Sequence, residues 1–175
     1  MKTTKIICGA ILAMTGLLAL LGVAGARLNT TSSLPEGLYW TTGAKPQKGD
    51  IVIFCPPRCA AIRLARARAY LAGGFCPGGN GTMMKQIAAV AGDRVVISDC
   101  GVRVGGIFLR NSEPLSEDPK GRPLPRLRGD FTLKSGQVLL MSQYNPLSFD
   151  GRYFGPSAAS AVKSVVRPVY TWNVK

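Results

Sequence analysis

From Ile6 to Ala26 the chain carries no charge, and the only charges before that run are Lys2 and Lys5. At about 1.5 Å of rise per residue, a helix over the run would measure roughly 30 Å, one bilayer core. It has no polar face to turn toward water. Residues 1–26 are therefore expected to be a signal peptide or a transmembrane anchor. The two lysines stay on the cytoplasmic side and residues 27–175 are exported. Ala24-Gly25-Ala26 has the small residues of an A-x-A cleavage site, which suits removal. The length of the run suits retention. Both readings stand at this level, and a buried core helix is the plainer alternative.

All nine acidic residues, and all but two of the 22 basic ones, lie beyond residue 26, in a chain with a net charge of +13. Such a domain can meet anionic lipid, nucleic acid or acidic partners. Its 46% hydrophobic content is too high for a disordered chain. Twenty-one Gly and twelve Pro predict turns and short strands rather than a helical bundle. Histidine is absent, which removes Ser-His-Asp and Cys-His catalysis and His-bearing zinc sites.

The exported part reads as one mainly β domain, 27–175. Asn29 to Gly37 is rich in turn residues. Leu38-Tyr39-Trp40 reads as a strand, and Ile51 to Phe54 as another, stopped by Cys55-Pro56-Pro57. Arg58 to Leu71 is rich in alanine and arginine and is expected to be an inserted basic helix, about 58–72, ending at Gly73-Gly74. Pro77 to Gly81 is a turn. Met83 to Ala91, Val95 to Ile97, Val102 to Val104 and Val138 to Met141 read as strands. Asn111 to Asp130 is a long polar loop, and Asn145 to Gly155 a second, more aromatic one. Val162 to Val169 is a final strand with Pro168 near its edge.

Four cysteines lie in the exported part: Cys55, Cys59, Cys76 and Cys100. They allow three pairings. An oxidising compartment favours disulfides, and Cys55–Cys76 with Cys59–Cys100 is the expected pairing. A metal site is the rival, but the spacing matches no zinc pattern well. No metal or cofactor is expected.

Without imidazole, a lysine amine can activate a nucleophile if burial lowers its pKa. Lys85 lies in an otherwise oily strand, Met83-Met84-Lys85-Gln86-Ile87. The plainer account is a lysine pointing outward from an edge strand. Ser32 and Ser33 sit just past the apolar run, before Pro35 and Gly37, where a hydroxyl could be presented to substrate. The plainer account is a serine bonding its own turn.

Four blocks in order change that balance. They are Ser33-Leu34-Pro35-Glu36-Gly37-Leu38-Tyr39; Lys48-Gly49-Asp50-Ile51-Val52; Met84-Lys85-Gln86-Ile87 with Ala91-Gly92-Asp93-Arg94-Val95; and Ser148-Phe149-Asp150-Gly151-Arg152-Tyr153-Phe154-Gly155. Across nearly all of the exported part, the chain resembles the bacterial signal peptidase family of Ser/Lys proteases, in its conjugative-transfer (TraF) branch. The resemblance implies a signal peptidase-like β fold after the N-terminal helix. It also implies roles. Ser33 is the nucleophile and Lys85 the general base. Ser148 orients the amine. Thr31 and the Ser33 N–H hold the oxyanion. Asp150 and Arg152 support the loop. Counting as in signal peptidases proper would select Ser32; the branch selects Ser33. Asp150 is expected to pair with Arg152 or backbone, because a carboxylate on Lys85 would raise its pKa. Gly151, where signal peptidases proper usually carry Ser, is expected to loosen that loop.

The resemblance further implies a periplasmic serine endopeptidase or transpeptidase at the inner membrane. Its partners would be a pilin precursor, which it cuts and cyclises, and other conjugative transfer proteins. A general signal peptidase and a non-enzymatic pilus assembly factor are the alternatives. The Arg58–Arg68 helix is read first as a solvated face, then as a lipid contact. Nucleic acid comes last, since few aromatics interleave its arginines and export takes it from DNA.

Overall fold

The apolar run forms a helix. In the computed structural model, which describes residues 2–172, α1 (Lys2–Ala24) is long and apolar enough to cross a membrane. Mean hydropathy is 2.5 over its membrane-length span, and none of that span is buried against the rest of the protein. The Thr15 hydroxyl bonds back to the carbonyls of Ile11 and Leu12 at 3.0 Å each, so it is satisfied without water. The helix stops at Gly25, whose φ of +119° suits glycine and where a side chain would strike Thr41. Arg27 folds back and donates to the carbonyls of Gly22 at 2.6 Å and Ala26 at 2.8 Å. A cation thus caps the negative end of α1.

Beyond it the chain is mainly β, as expected. β1 (Ala26–Asn29) and β2 (Glu36–Thr42) form a hairpin. β3 (Ile51–Phe54) leads into α2 (Ala60–Ala67) and β4 (Gly73–Cys76). β5 (Met83–Ala89), β6 (Arg94–Ser98), β7 (Gly101–Val104), β8 (Ile107–Phe108), β9 (Gly129–Thr132) and β10 (Gln137–Met141) follow. A single-turn helix α3 (Gly151–Phe154), β11 (Ser157–Ala158) and β12 (Val162–Trp172) complete the chain.

The larger sheet runs β1-β2-β12-β3-β5-β10-β11, and the smaller β8-β7-β6-β9. All of these pairings are antiparallel. One core joins the two sheets: Ala89, Val95, Ile97, Val102, Leu139 and Met141 meet in it. A second packs Val52, Phe54, Ile87, Leu140 and Val165 within the larger sheet.

Several local readings shift. The basic helix is shorter than expected, because Ala69 takes a φ of +59° and the chain leaves the helix before Gly73. Arg63 and Arg66 on it are exposed. The final strand continues past Pro168 to Trp172. Pairing with β3 ends at Val166, so Pro168 faces no partner on that side, and the register against β2 slips between Pro168 and Tyr170.

Cys55 and Cys76 are disulfide-bonded, with Cα atoms 5.5 Å apart. The bond closes the base of the α2 excursion. The second expected bridge is absent: Cys59 and Cys100 are free thiols. Cys59 precedes α2 and packs against its inner face, while Cys100 is exposed in the β6–β7 turn of the other sheet. The four cysteines therefore do not gather, which also rules out a shared four-thiol metal site.

Candidate active site

Lys85 does not point outward. β5 is a central strand, flanked by β3 and β10. On it Lys85 and Ile87 are buried while Met84 and Gln86 on either side of the lysine are not, which turns the lysine inward. Lys85 pairs across the ladder with Val52 and is 3% exposed. Its Nζ donates to the carbonyl of Met84 at 3.2 Å. Burial lowers its pKa from 10.5 to about 8, against a raising contribution from Asp150 and with a further lowering one from Arg152. A neutral amine is thus accessible near physiological pH.

Ser33 lies on the β1–β2 connection and is half-buried. This loop is built around Asn29, a residue the sequence reading missed. Asn29 Nδ2 donates to the carbonyls of Thr31 at 3.1 Å, Leu34 at 3.2 Å and Pro35 at 3.0 Å. Its Oδ1 accepts from the Thr31 backbone N–H at 3.2 Å and the Thr31 hydroxyl at 2.8 Å. Three carbonyls around Nδ2 fix the amide's orientation, so Thr31 Oγ1 must be the donor to Oδ1. Its one proton is directed at Asn29. Tyr39 adds a bond from its hydroxyl to the Pro35 carbonyl at 2.7 Å.

The far side of the loop is held from the β10–α3 connection. Ser142 Oγ donates to the Ser33 carbonyl. Asn145 Nδ2 donates to the Ser32 carbonyl at 3.0 Å. Neither is legible in the sequence, since a polar residue in the turn after a strand gives no signal of a contact more than a hundred residues away. Ser148 is buried, and its hydroxyl lies 3.4 Å from that of Ser33; among the described residues no hydrogen bond joins it to Lys85. Ser33 and Lys85 line one cleft of about 920 Å³. Among the described residues no hydrogen bond links them directly. Catalytic hydrogen bonds are often long before substrate binds.

Asp150 and Arg152 are fully buried and pair with each other, as expected. The contact is bidentate, Nε to Oδ1 at 2.8 Å and Nη2 to Oδ2 at 2.9 Å. Asp150 also accepts from the backbone N–H of Ser142 at 3.0 Å. Arg152 donates to the carbonyls of Ser142 at 3.1 Å, Pro146 at 3.2 Å and Glu113 at 3.2 Å. The pair therefore fixes the segment that carries Ser142 and Ser148. Gly151 tightens this region instead of loosening it: a side chain there would sit 2.9 Å from the Leu140 carbonyl. Only glycine lets α3 approach β10 so closely.

Residues 1–172 match the family profile for signal peptidase, peptidase S26. The chain belongs to the peptidase S26 family. Within it, the chain is 52% identical over 151 residues to the plasmid transfer protein TraF of Escherichia coli, covering 86% of this chain and 85% of that one. It is 36% identical over 163 residues to a probable conjugal transfer protein TraF of Sinorhizobium fredii, covering 92% and 85%. A signal peptidase I of Enterococcus faecalis overlaps at a TM-score of 0.39 and 22% identity, over 70% of this chain and 97% of that one.

Proposed function

We propose that the chain is a membrane-anchored Ser/Lys endopeptidase and transpeptidase of the periplasmic face, processing a conjugative pilin precursor. The observation that carries this reading is Lys85: an amine buried in a central strand, lowered to about 8, fronting the same cleft as Ser33. Relatives named as plasmid and conjugal transfer proteins support conjugation as its setting. Retention of α1 is supported by its fusion to the sheet, where Thr41 N–H bonds the Gly25 carbonyl at 2.9 Å and Ala26 pairs with Trp40.

Neutral Lys85 takes the Ser33 proton as Oγ attacks a peptide carbonyl. The Ser33 N–H holds the developing oxyanion. Thr31 Oγ1 becomes a second donor only by releasing Asn29. Protonated Lys85 then gives its proton to the leaving amine, and an acyl-enzyme remains. Water resolves it to a linear product; an amine on the same pilin chain, present at high effective concentration, resolves it to a cyclic one. Ile53, Met83 and Met84 line the cleft and suit small apolar side chains before the cut.

The test is processing of pilin in cells carrying Ser33→Ala or Lys85→Met. Both variants are expected to be exported and inactive, and mass spectrometry of the wild-type product to show a species lighter by one water than the linear cut chain. Processing that survived Lys85→Met would remove the lysine from the mechanism. Failure of a serine-directed phosphonate to label Ser33 would favour the assembly-factor reading.

A further inference from the structure

The cleft that holds Ser33 and Lys85 has a strongly basic stretch with no role in the chemistry above. Arg68 and Tyr70 reach it from the α2 connection, and Asp118, Lys120 and Arg122 from the long loop. Asp118 is buried at the centre of this group. Its Oδ2 meets Arg122 Nε at 2.7 Å, Arg68 Nη1 at 3.7 Å and the Tyr70 hydroxyl. Its Oδ1 accepts from the backbone N–H groups of Lys120 at 2.8 Å and Arg122 at 3.0 Å. Both carboxylate oxygens are thus fully engaged.

Two guanidiniums share this one carboxylate, and Lys120 has no acidic partner among the described residues. Elsewhere the cleft adds Arg27 and Glu36, of opposite sign, and the Lys85 amine. The stretch therefore keeps an excess of positive charge inside a concave wall, where field lines concentrate. Arg68 Nη1 also donates to the Pro123 carbonyl at 2.8 Å, and Arg122 Nη2 lies 3.5 Å from the Tyr70 hydroxyl. The side chains still keep 19% and 37% of their surface exposed toward the cleft they line.

We propose that Arg68, Lys120 and Arg122 bind a carboxylate of the polypeptide substrate while its scissile bond lies at Ser33. The inference rests on the peptidase reading and adds a substrate class to it: an acidic peptide, recognised through an Asp or Glu side chain or through its own C-terminal carboxylate. The site belongs to a peptide rather than to a membrane surface. It lies within the catalytic cleft beside the stacked rings of Phe149 and Tyr153, 5.0 Å apart. The arginines that α2 turns outward are Arg63 and Arg66 instead.

The experiment measures fluorescence anisotropy of labelled peptides on the full chain in neutral detergent, carrying Ser33→Ala so that nothing is consumed. Peptides of small apolar residues carry one Glu or one Gln, each with a free or an amidated C-terminus. At low salt the acidic forms are expected to bind about three- to five-fold more tightly per charge, an advantage that shrinks with added salt. Whichever pair discriminates, Glu against Gln or acid against amide, names the source of the carboxylate. Lys120→Glu, an exposed change, is expected to erase the preference. Asp118→Asn is expected to strengthen it, because the arginines lose their internal competitor; a purely structural network would move the other way. Equal binding of all four peptides, or no binding, overturns the proposal. So does a Lys120→Glu variant that loses only its affinity for phosphatidylglycerol vesicles. Phosphonate labelling of Ser33 in the wild-type chain reports on the peptidase reading separately, so the two can fail independently.

Discussion

The hydroxyl of Ser142 hydrogen-bonds the backbone carbonyl of Ser33 across 109 residues of sequence. The same oxygen accepts from the backbone N–H groups of Tyr144 at 3.2 Å and Asn145 at 3.3 Å. Ser142 therefore ties the Ser33 loop to the turn that carries Asn145 and Ser148. It sets the orientation of the Ser33 peptide unit without reaching the reacting atoms.

Ser142→Ala is expected to fold, losing about 1–2 kcal/mol of stability. Its kcat should fall at least ten-fold with KM nearly unchanged, since a misplaced nucleophile loses rate rather than binding. Steady-state kinetics on a pilin-derived peptide separates the two parameters.

Thr31→Val tests the oxyanion assignment. The Thr31 proton is directed at Asn29 Oδ1, so the substitution is expected to lower kcat by less than about ten-fold. An oxyanion donor would cost roughly a hundred- to a thousand-fold. A loss in that larger range would mean that Thr31 turns from Asn29 to the substrate during reaction.

Lys85 gives a signed pH dependence. Activity is expected to rise with pH through about 8, as the amine becomes neutral in the folded enzyme. Stability follows a different window. The folded pKa lies below the ordinary lysine value of 10.5, so burial of this lysine penalises folding in full below pH 8. The penalty fades as pH climbs from about 8 to 10.5. Lys85→Met is expected to be inactive yet more stable at neutral pH, by about 2–3 kcal/mol. Urea unfolding at two pH values measures the gain, which should shrink near pH 10.

Arg152→Met leaves the Asp150 carboxylate buried without its counter-charge. A loss of about 3–5 kcal/mol is expected. It should exceed that of the double change Asp150→Leu with Arg152→Met, which removes both charges. The double variant should still lack activity, because Ser142 and Ser148 lose their support. Denaturation midpoints of the two variants, compared at equal protein concentration, decide the order.

Much of this protein is legible along the chain. The membrane-length helix follows from an uncharged run, and most strands from short apolar stretches ended by Gly, Pro or Asp. Those are local preferences, and each is set by neighbours within a few residues. The four blocks around Ser33, Asp50, Lys85 and Asp150 are likewise contiguous, so they can be recognised one at a time. Which face Lys85 takes is not local. Inward and outward differ only by which strands flank β5, and that depends on topology. The same holds for Cys59 and Cys100, whose failure to pair reflects their places at the start of α2 and in a turn of the smaller sheet, and for Gly151, whose tight contact is with another strand. Asn29, Ser142 and Asn145 matter because the β1–β2 loop and the end of β10 meet in space. A hydrogen bond acts over about 3 Å, so its partners are known only once the fold has brought those distant segments together.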